Sequence, residues 1–146
     1  MAVELITLAP GLSASGRLDR ADLEELARSG VRTIVNNRLD GEDPGQLPAA
    51  EARQLAEALG LAYHHIPITA ASLTNTHVDA FAAVLREATQ PIVAHCRSGT
   101  RTTLLWALTR LREGADPLSL VAEAARHGID IASLSAVAAR LRQRSS

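Results

Sequence analysis

The chain has 146 residues, 47% hydrophobic and 21% charged, which suits one globular domain over 1–146 with a proper core. A net charge of −1 supplies no basic field for a polyanion, and 2% aromatic residues are too few for a base-stacking platform, so no nucleic-acid partner is expected. One cysteine excludes an internal disulfide framework, no apolar run reaches a membrane span, and residues 1–6 lack a signal-peptide pattern, so a cytoplasmic location without a membrane partner is expected.

Residues 4–8 form a short apolar-rich segment, Pro10-Gly11 makes a turn, and 12–18 read as a second short strand. Asp19 suits the N-cap of a helix carrying Leu23, Leu26 and Ala27, with Gly30 past its end. The β-branched run 31–36 reads as a buried strand. Residues 37–47 are a polar loop, and Pro48 opens a helix with Ala52, Leu55, Ala56 and Leu59 on its apolar positions. A strand over 61–66 ends at Pro67. A second loop, 68–75, leads to a helix capped by Asn75 or Thr76 and bearing Val78, Phe81, Ala82 and Leu85. A strand over 91–95 follows, then helices over 102–113, 117–127 and 133–144. Strands alternating with helices imply an α/β fold with a mainly parallel central sheet and helices on both faces. Functional loops then gather at the carboxyl ends of the strands: 36–47, 67–75 and the segment after residue 95.

That last segment, His95-Cys96-Arg97-Ser98-Gly99-Thr100-Arg101, holds the only cysteine. A strand runs into it and a helix leaves it. Unpaired N–H groups and the dipole at a helix start favour a thiolate, and thiols so placed commonly have pKa values of about 3.5–7.5. Under an enzymatic reading, Cys96 is the nucleophile, and Gly99 allows a positive φ so that loop N–H groups form an anion nest with Arg97, Ser98 and Thr100. Arg101 holds an oxyanion, Thr102 brings a hydroxyl toward the sulfur, and His95 braces the loop by bonding backbone carbonyls. The plain alternative is an inert core cysteine.

The run resembles the active loop of cysteine-dependent phosphatases and rhodaneses. Together with Val31-Arg32-Thr33-Ile34-Val35-Asn36-Asn37-Arg38, Asp40-Gly41-Glu42 and Tyr63-His64-His65-Ile66-Pro67-Ile68, it resembles the bacterial beta-lactamase-hydrolase-like phosphatase family across nearly the whole chain. The resemblance implies a dual-specificity-phosphatase-like fold. Some members carry a metallo-beta-lactamase-like domain of the persulfide dioxygenase type, for which this chain has no room, so such a protein is a possible partner. The resemblance also implies that Arg38 is a second anion-binding arm. The plain alternative makes it a surface arginine paired with Asp40 or Glu42.

Two departures from the tyrosine-phosphatase pattern set the order of functional expectations. Four residues, not five, separate Cys96 from Arg101, which is the rhodanese spacing and suits a single sulfur atom. Loop 68–75 has no Asp or Glu to protonate a leaving alkoxide, leaving Asp40 or Asp43 as substitutes. The first expectation is therefore sulfur transfer through a Cys96 persulfide, with a small anionic sulfur donor such as thiosulfate attracted by an outward Arg97. The second is a phosphatase acting on a phosphorylated substrate through a cysteinyl-phosphate. The third is a non-catalytic anion-binding or persulfide-relay module. No cofactor is called for. His64 and His65 face opposite sides of a strand and, like His95, read as core or bracing residues, so no metal site is expected.

Overall fold

The computed structural model describes residues 3–144. The strands are β1 (Ile6–Ala9), β2 (Leu12–Ser15), β3 (Thr33–Asn36), β4 (Ala62–His65) and β5 (Ile92–His95). They form one sheet in the order β1-β2-β5-β3-β4, antiparallel only between β1 and β2. The helices are α1 (Arg20–Arg28), α2 (Ala49–Ala58), α3 (Asn75–Glu87), α4 (Thr100–Arg112), α5 (Pro117–Arg126) and α6 (Leu134–Gln143). The expected α/β architecture is present. Among the described residues no helix is long and apolar enough to cross a membrane.

Two apolar layers cover the two faces of the sheet. On one, Leu23 and Leu26 of α1 and Ala52 and Ala56 of α2 bury Ile34, Tyr63 and Val93. On the other, α3–α6 contribute Phe81, Leu105, Leu120, Leu134 and Val137 against Leu12, Val35, Ile92 and Ala94. Every residue of β3 and β5 is buried, as expected of strands in the middle of a two-sided parallel sheet.

Local signals set the helix starts. Asp19 caps α1 by accepting from Asp22 N while Asp22 reaches back to Asp19 N. Thr74, one residue before the expected cap, closes a similar box with His77 at the start of α3. The strand expected over 12–18 stops at Ser15. Gly16 there lies against the loop that follows β5, and a Cβ on it would sit 3.1 Å from Arg97 O. The helix expected from 102 begins two residues earlier, with Gly99 as its left-handed N-cap at φ 92°.

The register of the sheet builds the floor of the site. Ser15, His95, Asn36 and His65 lie side by side at the carboxyl ends of β2, β5, β3 and β4. The next residues, Gly16, Cys96, Asn37 and Ile66, therefore emerge together. Asn37, fully buried, ties three segments to this floor. Its N–H donates to His95 O at 2.8 Å, its side-chain amide donates to Ile66 O at 3.0 Å, and its Oδ1 accepts from Thr102 Oγ1 at 2.8 Å.

Asn37→Ala leaves the Thr102 hydroxyl and the Ile66 carbonyl without these partners, at about 1–3 kcal/mol for each buried group stranded. Urea unfolding should show a clearly lowered midpoint, and a midpoint equal to that of the parent would remove Asn37 from this structural role.

Candidate active site

Cys96 sits where β5 ends and is 1% exposed. Its N–H donates to Ser15 O at 3.3 Å. The chain then turns through Gly99, whose positive φ aims its own N–H back at the sulfur, with N to Sγ at 3.0 Å. A side chain at Gly99 would have to adopt the left-handed region that L residues avoid. Ser98 and Thr100 join their hydroxyls at 3.2 Å across the turn. The sulfur is thus the acceptor of a backbone donor at a helix N-terminus, next to Arg101 in the first turn of α4.

Arg101 is held by Glu42, a residue that the sequence suggested only as a surface partner of Arg38. Both terminal nitrogens of Arg101 donate to the Glu42 carboxylate, at 2.6 and 2.8 Å, and one also donates to Ile68 O at 3.0 Å. This fork-to-fork pairing fixes the guanidinium plane. Hydrogen bonding to Glu42 raises the Arg101 pKa above its ordinary value, and Cys96 contributes to the same shift through charge and a hydrogen bond. The Glu42 carboxyl is lowered to about 2, chiefly by Arg101, with burial opposing and the Leu39 N–H and Arg38 helping.

Arg38 is buried, so the surface alternative for it is incorrect. Its Nε donates to Glu42 at 3.2 Å and its Nη2 to Asp43 at 2.6 Å. The His65 ring meets the Arg38 carbonyl at 2.7 Å. Asp43 also accepts from Arg17 Nε at 2.9 Å and pairs with Arg97 Nη2 at 3.2 Å. Arg97 does point outward, and is more than half exposed. Burial pulls the Asp43 carboxyl upward, but Arg38, Arg17 and Arg97 together hold it below its ordinary value.

The structure redraws three expected roles. The Thr102 hydroxyl donates to Asn37 and not to the sulfur, so Thr102 braces the floor. The His95 ring has a buried Nδ1 without a hydrogen-bond partner, so it does not tie down a carbonyl through that atom. Burial lowers the His95 pKa to about 4, opposed by the Cys96 backbone and reinforced by Arg38, His65 and Arg101. Asp40 is turned away from the site, where it accepts from Ala49 N at the start of α2. Asp43 is near the loop, but its arginines hold its carboxyl below the ordinary value, which weighs against it as a proton donor. No group of three or more His, Cys, Asp or Glu side chains suited to a metal occurs among the described residues.

Known proteins place these residues in a family context. Residues 4–112 match the family described as beta-lactamase hydrolase-like protein, phosphatase-like domain. A beta-lactamase hydrolase-like protein of Xylella fastidiosa is 32% identical over 133 residues, covering 88% of this chain. The chain spans only 30% of the length of that relative. The crystal structure of a candidate phosphatase from Neisseria meningitidis superposes with a TM-score of 0.80 at 32% identity, covering 90% of this chain and 94% of that one. Pseudomonas aeruginosa TpbA, solved with phosphotyrosine, shares the fold at a TM-score of 0.59 and 22% identity, covering 81% of this chain and 69% of that one.

The buried imidazole sets a pH dependence of stability. An unfolded histidine takes up its proton near pH 6.5, whereas folded His95 does so only near 4. Its contribution is therefore complete above about 6.5 and is lost as pH falls toward 4, by about 3 kcal/mol. Urea titrations between pH 7 and 4 on the parent and on His95→Asn should show a flatter profile for the variant. Parallel profiles would mean that His95 is not the group responsible.

Proposed function

The chain belongs to the beta-lactamase hydrolase-like family by its phosphatase-like domain, and from that membership and the surroundings of Cys96 we propose that it is a cysteine-dependent phosphatase. The observation that carries the reading is the Gly99 N–H on the Cys96 sulfur at 3.0 Å, with Arg101 clamped alongside. Cys96 attacks the phosphorus of a phosphorylated substrate, and the bond to the leaving oxygen breaks. Loop N–H groups and Arg101 carry the charge that builds on the phosphoryl oxygens. Water then attacks the cysteinyl-phosphate, releasing inorganic phosphate and the thiolate. Arg97, Ser98, Gly99 and Thr100 line the anion-binding turn, and Glu42 positions Arg101.

This reverses the order of the two leading expectations. Sulfur transfer rested on the four-residue spacing from Cys96 to Arg101 and on the lack of an acid in loop 68–75. The matched family covers that same loop and is described as phosphatase-like, which weighs toward phosphoryl chemistry. A sulfane-sulfur donor and a persulfide dioxygenase-type partner are expectations tied to sulfur transfer and drop behind with it. A phosphorylated substrate is the one this site is proposed to take.

Cys96→Ser should abolish phosphate release from p-nitrophenyl phosphate, and Arg101→Ala should lower kcat/KM by about 10²–10³-fold, the usual loss on removing an oxyanion donor. A parallel assay with thiosulfate and cyanide serves as the counter-test. Cys96-dependent thiocyanate formation faster than phosphate release would restore sulfur transfer to first place. Vanadate binding without turnover of any substrate would favour the relay module.

A further inference from the structure

We propose that this site acts on phosphoanhydrides, taking the terminal phosphoryl group of a diphosphate onto Cys96 while Arg97 and Arg17 hold the departing phosphate. The inference rests on the phosphatase reading and adds a substrate class to it.

The first observation is where the carboxylates go. The loops that reach this end of the sheet follow β2, β3, β4 and β5, and the turn between α5 and α6 joins them, with the Ile129 side chain 3.6 Å from a Cβ placed on Gly99. After β2, Asp19 and Asp22 close a reciprocal box at the start of α1, each accepting the other's backbone N–H. After β3, Asp40 caps α2, Glu42 is clamped on Arg101, and Asp43 is shared among arginines. The loop over 66–74 contains no acidic residue, and neither does the turn over 96–99. Asp130, between α5 and α6, accepts from Ala132 N within its own turn. Each of these carboxylates is engaged as an acceptor, and the two nearest the loop have pKa values pressed downward. Tied up as acceptors, none of them is free to serve as a general acid, a role worth about 10²–10⁴-fold to a poor leaving group.

A site without an acid works best on a group that leaves without a proton. A tyrosine-like phenolate has a conjugate acid of pKa about 10. A phosphate monoester has a second pKa of about 6 and departs readily as its anion.

The second observation is a local surplus of positive charge. Arg17, Arg38, Arg97 and Arg101 are linked through only two carboxylates, Glu42 and Asp43. Arg38 and Arg101 are largely buried, but Arg17 and Arg97 are more than half exposed at the rim. Gly16 lies against the Arg97 backbone, so Arg17 emerges directly beside the thiol loop. Asp43 is divided among three guanidinium groups. An incoming phosphate can take Arg17 and Arg97 from it and leave Asp43 with Arg38. One anionic group then lies over the Cys96 loop and a second, joined to it, meets the rim arginines.

The step balances as follows. The Cys96 thiolate forms an S–P bond to the terminal phosphorus as the bridging P–O bond breaks. The electron pair of that bond leaves with the inner phosphate, which departs as an anion. Water then attacks the cysteinyl-phosphate, its proton passes to solvent, and the S–P electrons return to sulfur.

Adenosine diphosphate and adenosine monophosphate make a matched pair of probes, because they differ in the leaving group and share everything beyond it. With p-nitrophenyl phosphate as a third substrate, kcat/KM for the diphosphate should exceed that for the monophosphate by about 10²-fold or more. The R17A/R97A double variant should lower the ratio of diphosphate to p-nitrophenyl phosphate turnover at least tenfold, and R17A alone should lower it in the same direction. Cys96-dependent hydrolysis of p-nitrophenyl phosphate with no preference between the adenosine pair would overturn the phosphoanhydride assignment and spare the phosphatase reading. So would an unchanged ratio in the double variant. No Cys96-dependent phosphate release from any of the three would overturn both.

Discussion

The clamp between Glu42 and Arg101 is the interaction on which the site depends. It is the point where the loop after β3 is tied to the helix that starts at the thiol loop. A guanidinium on a flexible stem has many rotamers, and one that must face developing charge gains from being fixed in advance. The second nitrogen pair of a planar fork makes that fixing directional, which a lysine ammonium could not do. The clamp is also shielded, with Arg101 and Glu42 side chains 19% and 14% exposed, so added salt screens it less than a rim pair.

That clamp is possible only because the sheet brings its parts together first. Asn37 follows β3 and links β5, the loop after β4 and α4 through its own polar atoms. Arg38 comes next and is buried because Glu42 and Asp43, further along the same loop, fold back onto it. A buried arginine with a missing partner is costly, so this short segment has few alternative arrangements once β3 is in place. The thiol loop rests on a different kind of constraint. Gly16 and Gly99 clear the space and the backbone angle that let Ser15 O, Cys96 and the Gly99 N–H converge.

The fold was legible because its signals are local or periodic. Apolar runs marked β3 and β5, and Asp19 announced α1. The thiol loop was legible too, since strand, cysteine, glycine and arginine stand close together in the chain. What stayed hidden depends on distances that the chain order does not carry. Glu42 and Arg101 are 59 positions apart, Thr102 and Asn37 are 65 apart, and no periodicity links either pair. Thr102 could be placed near the sulfur from its position in the loop, but the direction of its hydroxyl was decided by Asn37. Arg38 could be judged a surface residue only while Glu42 and Asp43 were treated as loop polarity. The loop-length argument carries less weight for another reason. It considered ring size alone, whereas the chemistry of an anion site is also set by the arginines arranged around it.

Arg38 gives those arginines a common dependence. Its Nε serves Glu42 and its Nη2 serves Asp43, so one buried guanidinium supports both carboxylates. Glu42 in turn governs the arginine beside the sulfur, and Asp43 governs the two on the rim. An anion that draws Arg17 and Arg97 away from Asp43 leaves that carboxylate more dependent on Arg38, which shifts the balance of the bond that Arg38 makes to Glu42. The inner and outer parts of the site are therefore linked through a largely buried group. A substrate that engages only the inner part leaves Asp43 fully neutralised and the rim arginines satisfied as they are. One that engages both parts exchanges a carboxylate for a phosphate at the rim. Such an exchange favours a substrate with two anionic groups over one with a single group of the same chemistry, and it does so without any further residue at the mouth.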